Sequence, residues 1–258
     1  MSNVVLATPV SHLFEDNNVA QKIIEYSDCL EARERTIHLH FPRRHLFHVD
    51  VDLTHSWDSE KKRYLLECIE QLPDLRLVTF QATVNCDRPV LKDGQYYLGG
   101  VSLTSDEMMK NAKSNVSWLR SFLPVDVEVG LENNNYYPTE AYKYVTDADF
   151  LSELVTETNI RFLLDIAHAF VTAHNRNMKL ERYLSELPLN RCAQVHLCQP
   201  VIKENGLAID AHEVPEGELR DLTRDIISEL GVKYLTVEYY KDSSKLISTL
   251  EQERKYFL

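Results

Sequence analysis

Short apolar runs rich in β-branched residues alternate along the chain with stretches whose apolar positions recur every three or four residues. The runs predict eight strands, at about 3–8, 27–32, 36–41, 76–80, 126–132, 161–165, 192–197 and 233–238. Between them lie helical stripes. Leu65, Leu66, Ile69 and Leu72 share one face ahead of Pro73, and Phe150, Leu151, Leu154 and Val155 share another. Leu219, Leu222, Ile226, Ile227 and Leu230 form a third, with Gly231 placed to stop the helix. Strand–helix alternation predicts a parallel sheet, and 258 residues suit one α/β domain, 1–258, folded as a (β/α)8 TIM barrel. One connection does not fit. Residues 31–35 between the second and third predicted strands are too few for a crossover helix, so the second crossover is shortened or a strand is misplaced.

The chemistry gathers at the ends of the runs. Val127–Leu131 leads into Glu132, Phe162–Leu164 into Asp165 with His168 three residues on, Ala193–Val195 into His196, and Tyr234–Val237 into Glu238. Asp210 and His212 follow in the connection after His196. Each has a bland reading: an Asn-rich turn at Glu132, a helix cap at Asp165, a packed core histidine at His196, a loop ion pair at Asp210 and His212. Together they form a pattern. Carboxylates and imidazoles hold Fe, Mn or Zn, and a parallel barrel collects strand-end residues on one face. In the run Ile37–Phe41 the alternation puts His38 and His40 on one side, and His40, nearest the strand end, is expected to be a further ligand. His45, His48 and His55 are expected in loops, His174 on a solvent- or substrate-facing loop, and His12 within reach of the site.

Composition narrows the classes. A net charge of −12 argues against general affinity for nucleic acid or anionic membranes. No apolar run approaches the ~20 residues that span a bilayer, and the N-terminus has neither a basic start nor a cleavage site, so a cytoplasmic protein is expected. The five cysteines include no CxxC pair and read as reduced thiols. Cys198, two residues past His196, could face a site, but a buried, inert thiol is the expectation. The stretch from about 84 to 104 is long and turn-rich, and suits a lid over the ligand-bearing face.

Glu132, Asp165, His196 and Glu238 match the Glu–Asp–His–Glu set of the xylose-isomerase-like TIM barrels, and His168 with Asp210 and His212 resembles the richer set of the endonuclease IV-like members. Within that superfamily the chain most resembles the multinuclear non-haem iron-dependent oxidases. The likeness rests on Glu132-Asn133 with Tyr137, Leu163-Leu164-Asp165, Ala173-x-Asn175, Tyr183-Leu184 with Leu187-Pro188-Leu189-x-Arg191, Val195-His196-Leu197 and Ile209-Asp210-x-His212. It covers residues 126–240 well and the first third weakly. It implies two or three iron ions, with manganese or zinc as alternatives, held by His40, Glu132, Asp165, His168, His196, Asp210, His212 and Glu238. It also implies dioxygen-dependent modification of a peptide side chain such as cysteine, with a peptide or small-molecule substrate and a possible peptide-recognition partner protein. Two departures stand out. Superfamily members often carry a histidine on strand four, where Gln81 follows Phe80, and the Gly-rich run after strand three is missing. The alternatives are a one-metal sugar or sugar-phosphate isomerase or epimerase, which the missing histidine favours; phosphodiester hydrolysis, which the acidic charge disfavours; and a non-catalytic binding module.

Overall fold

The computed structural model describes residues 4–257. Eight parallel strands close into a barrel: β1 (Val5–Pro9), β2 (Cys29–Arg33), β3 (Arg44–Asp52), β4 (Leu77–Gln81), β5 (Glu128–Glu132), β6 (Arg161–Asp165), β7 (Cys192–Leu197) and β8 (Tyr234–Val237). Each pairs with its sequence neighbours, and β1 pairs with β8 through Val5↔Tyr234, Leu6↔Leu235 and Ala7↔Thr236. Helices α1 (Asn17–Tyr26), α2 (Ser59–Ile69), α3 (Ser105–Arg120), α4 (Ala148–Thr158), α5 (Ile166–Asn175), α6 (Leu180–Glu186), α7 (Gly217–Leu230) and α8 (Ser243–Phe257) complete the fold. Among the described residues no helix is long and apolar enough to cross a membrane.

Local signals account for the helix ends. The Asp16 carboxylate accepts from the amides of Asn18 and Val19 at the start of α1. Thr104 and Glu107 form a reciprocal capping box on α3. Gly231 ends α7 in the left-handed region at φ 62°.

Seven predicted strands coincide with barrel strands, and the third does not. Residues 36–41 form no strand. Glu34–Thr36 is a 3-10 turn, and Arg43, at φ 59°, reverses the chain into β3 at residues 44–52. The physical reason is burial. A barrel strand is covered on both faces, so it reads as a continuous run such as Leu46-Phe47-His48-Val49, not as the alternation of 37–41. The second crossover, residues 34–43, carries no α-helix and remains short.

Two hairpins decorate the C-terminal end of the barrel. Val90–Lys92 pairs with Gln95–Tyr97 beyond β4, inside the segment expected to be a lid. Gly99 and Gly100 close its base, where an added Cβ would lie 2.1 Å from the Arg88 carbonyl oxygen or 2.0 Å from Asp87 Oδ1. Gln199–Ile202 pairs with Ala208–Glu213 beyond β7. Asn175 ties this second hairpin down: its amide donates to the carbonyls of Tyr136 and Ala208 and accepts from the Ala208 N–H.

Candidate metal centre

Four strand ends bring Glu132, Asp165, His196 and Glu238 together at the C-terminal mouth of the barrel. His196 Nδ1 lies 3.1 Å from Glu132 Oε1, 3.0 Å from Glu238 Oε2 and 3.8 Å from Asp165 Oδ2. All four side chains are buried. Two atoms here have no hydrogen-bond partner, Asp165 Oδ2 and His196 Nδ1. An orphaned carboxylate oxygen beside an orphaned imidazole nitrogen is costly unless something positive binds both.

Asp165 divides its two oxygens between two tasks. Oδ1 accepts from the His168 amide at 2.8 Å and caps α5, while Oδ2 faces the cluster. Its backbone is pinned by Asn133, whose side chain donates to the Asp165 carbonyl at 2.9 Å and accepts from its amide at 2.8 Å. Asn133 also fixes His168 through its carbonyl, 2.8 Å from ring Nδ1, which leaves Nε2 facing Asp210 Oδ2 at 3.3 Å. His212 Nε2 completes this side, 3.2 Å from Asp210 Oδ2 and 3.4 Å from Glu238 Oε1. His212 adopts φ 46°, an uncommon left-handed conformation for a histidine. Its amide donates to Asp210 Oδ1 at 3.3 Å.

His40 does not join the cluster. It is exposed on the 34–43 connection, with Nδ1 3.3 Å from an Arg44 nitrogen, because the strand expected to carry it is not a strand. The histidine at the cluster is His48 of β3, expected in a loop and found fully buried. Its Nδ1 lies 2.9 Å from Thr79 Oγ1 and its Nε2 3.5 Å from Glu132 Oε2. Gln81, at the strand-four position, donates to Glu132 Oε2 at 2.8 Å. His55 and His174 lie elsewhere, their Nε2 atoms 2.9 Å from the carbonyls of Val84 and Gly206.

The sequence reading also passed over Glu31 and Arg33 of β2. Glu31 Oε2 accepts from His196 Nε2 at 2.9 Å, which turns Nδ1 toward the cluster. The Arg33 guanidinium bridges Glu31 Oε1 at 2.5 Å and Glu238 Oε1 at 2.8 Å. The signal was present: two charged residues inside the run Cys29-Leu30-Glu31-Ala32-Arg33 belong there only as a buried pair.

These charges set the protonation pattern. Burial alone pushes the Glu31 carboxyl up, but the charges of Arg33 and His196 outweigh it and hold it at about 2. Burial also opposes ionisation of Glu132 and Glu238, yet His48 and His168 hold the first low, and Arg33 and His196 the second. Burial, with Asp210, Glu132 and Glu238 close by, raises Asp165 to about 7. Burial lowers His48. His196 is raised well above the imidazole range, because Glu31 and Glu238 outweigh its burial.

The donors fall into four groups, each with atoms within 4.8 Å of one another: His48, Glu132 and His196; Glu132, Asp165 and His168; Asp165, His196 and Glu238; and Cys198, Asp210 and His212. A cavity of about 620 Å³ opens above them, walled by Arg33, His38, Tyr96, Asn135 and Tyr240 among others. His12 and Tyr96, the latter from the 84–104 segment, both line it.

Residues 98–256 match the family model described as RiPP precursor modification enzyme MbnB/TglH/ChrH. A UPF0276 protein of Vibrio parahaemolyticus is 24% identical over 191 residues, 69% of this chain and 66% of that protein. Another, from Bordetella pertussis, is 33% identical over 92 residues, 34% of this chain and 32% of its own. The matches thus span less than two thirds of these relatives' length. Among solved structures, a D-psicose 3-epimerase of Clostridium cellulolyticum H10 superposes over 98% of both chains, with a TM-score of 0.64 and 10% identity. A D-allulose 3-epimerase of a Methylomonas species superposes over 100% of this chain and 99% of its own, with a TM-score of 0.60 and 10% identity. At such identities the likeness establishes the TIM-barrel fold and nothing about substrate.

Proposed function

The chain belongs to the MbnB/TglH/ChrH family of RiPP precursor modification enzymes, and from that membership we propose that it is a multinuclear iron enzyme that uses dioxygen to modify a side chain, cysteine foremost, of a precursor peptide. The observation that carries the multinuclear reading is the sharing of carboxylates. Glu132 and Asp165 each belong to two donor groups, which is how bridging carboxylates hold neighbouring ions. The donor chemistry fits iron or manganese, being carboxylate and imidazole, with the raised His196 ring giving up its proton when an ion binds. The orphaned Asp165 Oδ2 is where positive charge is missing.

In this reading Glu132, Asp165, His196 and Glu238 hold the inner ions, with His48 and His168 on either side. Bound iron would supply one-electron and dioxygen chemistry that no side chain offers. The protein's own part is positioning. Glu31 holds the His196 ring so that Nδ1 presents its lone pair inward. Arg33 fixes one oxygen of Glu238 and leaves the other free. Asn133 holds both Asp165 and His168. The cavity of about 620 Å³ accepts a side chain and its flanking backbone, and the hairpin carrying Tyr96 is placed to cover the bound peptide. A net charge of −12 favours a basic peptide over a nucleic acid.

The test is to purify the protein without oxygen, load it with ferrous iron, and add oxygen with a cysteine-bearing precursor peptide encoded beside it. A mass change on the peptide that needs both iron and oxygen is expected. Epimerisation of a ketose with a single Mn2+ and no peptide product would overturn the reading. That one-metal sugar epimerase is the second reading, and Gln81 in place of a strand-four histidine is the observation that favours it.

A further inference from the structure

Cys198 was expected to be an inert core thiol, and the structure puts it elsewhere in chemical terms. It is fully buried, immediately past β7, with its Sγ 3.5 Å from Asp210 Oδ1. The sulfur, the Asp210 carboxylate and the His212 ring all lie within 4.8 Å of one another. A tetrahedral ion with metal–sulfur and metal–nitrogen or –oxygen bonds of about 2.3 and 2.0–2.1 Å separates such donors by about 3.3–3.6 Å. Cys198 Sγ lies 3.5 Å from Asp210 Oδ1 and His212 Nε2 3.2 Å from Asp210 Oδ2, so the carboxylate faces each of the other two donors at close to that spacing, one with each oxygen.

A second observation points to the same space. The buried Asp165 Oδ2 has no hydrogen-bond partner, and it lies 3.8 Å from His168 Nε2, the atom that is itself 3.3 Å from Asp210 Oδ2. Cys29, Cys68, Cys86 and Cys192 join no such donor group among the described residues.

We propose that Cys198 is a thiolate ligand of the outermost metal subsite, which it forms with Asp210 and His212. The proposal rests on the reading of the cluster as a metal centre. It gives the outer subsite a sulfur donor that the carboxylate- and imidazole-only inner groups lack, so the two subsites differ in softness. On binding, the divalent ion takes the place of the thiol proton: the S–H bond breaks, a metal–sulfur bond forms, and the proton leaves to solvent, with no change in oxidation state. The outer subsite should then accept zinc, cadmium or cobalt at least as readily as iron, while the inner subsites keep their preference for iron or manganese.

Cobalt is the probe. The metal-free full-length protein is titrated with Co2+ without oxygen, and the ultraviolet–visible spectrum is read for the thiolate-to-cobalt charge-transfer band. A band that saturates at one equivalent, absent in Cys198→Ser and in Cys198→Ala, supports the proposal; Cys198→Ser should lower bound cobalt by one ion per chain while far-ultraviolet circular dichroism stays unchanged. Cobalt bound at full stoichiometry with no such band, or a band that survives both substitutions, overturns the Cys198 assignment and leaves the inner centre standing. No cobalt bound at all overturns this assignment and the metal-centre reading together.

Discussion

The inner and outer parts of the cluster are built differently. Glu132, Asp165, His196 and Glu238 sit on or just past barrel strands, and their side chains are 0–7% exposed. Asp210 and His212 sit on a hairpin beyond the barrel, with side chains 9% and 24% exposed. The inner groups are held by residues that never touch the cluster's centre, such as Glu31 and Asn133. The outer groups depend on Asn175 and on the strained turn at His212. On the proposed reading the inner subsites are rigid and the outer one separable, and substitutions in each part test that difference.

The largest effect is expected from His196→Ala. It removes the nitrogen at the centre of the inner set, 3.1 Å from Glu132 Oε1 and 3.0 Å from Glu238 Oε2. Inductively coupled plasma mass spectrometry should find little bound iron, and turnover should fall below detection. Asp210→Ala comes next. A hairpin residue carries little core packing, so the melting temperature should hold while metal content falls by about one ion per chain. Loss of all metal in that variant would mean that inner and outer subsites are not separable.

Glu31→Gln keeps the size of the group that accepts from His196 but removes its charge. Loss of an outer carboxylate of this kind typically costs about 10–100-fold in metal affinity, read in a chelator competition. Asp165 gives a pH signature. In the metal-free chain it keeps its proton up to about 7, so binding below that pH must displace it. Inner-site affinity should therefore fall by about tenfold for each unit below 7 from this group, and flatten above. Asp165→Asn, measured by calorimetry across the same range, should lose that dependence. The smallest change is expected from Gln81→His, which swaps an amide that donates to Glu132 for an imidazole beside His48. It should raise occupancy of the His48 subsite severalfold, visible as metal content at limiting iron.

The C-terminal half of this cluster could be read from the chain because its candidate ligands end isolated apolar runs. Glu132, Asp165, His196 and Glu238 each interrupt a hydrophobic stretch at or next to a strand's end, and Asp210 and His212 keep a same-side spacing. The N-terminal half misled for physical reasons. His38-Leu39-His40-Phe41 alternates like a half-exposed strand, yet Pro42 and the left-handed Arg43 make it a connection, and the true strand holds His48 within a continuous buried run. Glu31 and Arg33 stood out as charges inside a strand, but their role could not be read there, because their partners Glu238 and His196 lie more than 160 residues away. Seven of eight strands were legible from the same runs. Asp165 was open to two readings, cap or ligand, and its geometry allows both at once, because one oxygen caps α5 and the other faces inward.

The most direct test of the central claim is metal stoichiometry in the protein purified and loaded anaerobically with ferrous iron, compared with the Asp210→Ala protein treated identically. Two or three irons per chain, falling by one in the variant, is the result this account predicts. One divalent ion per chain, unchanged by Asp210→Ala, would contradict it and leave a mononuclear barrel of the epimerase kind.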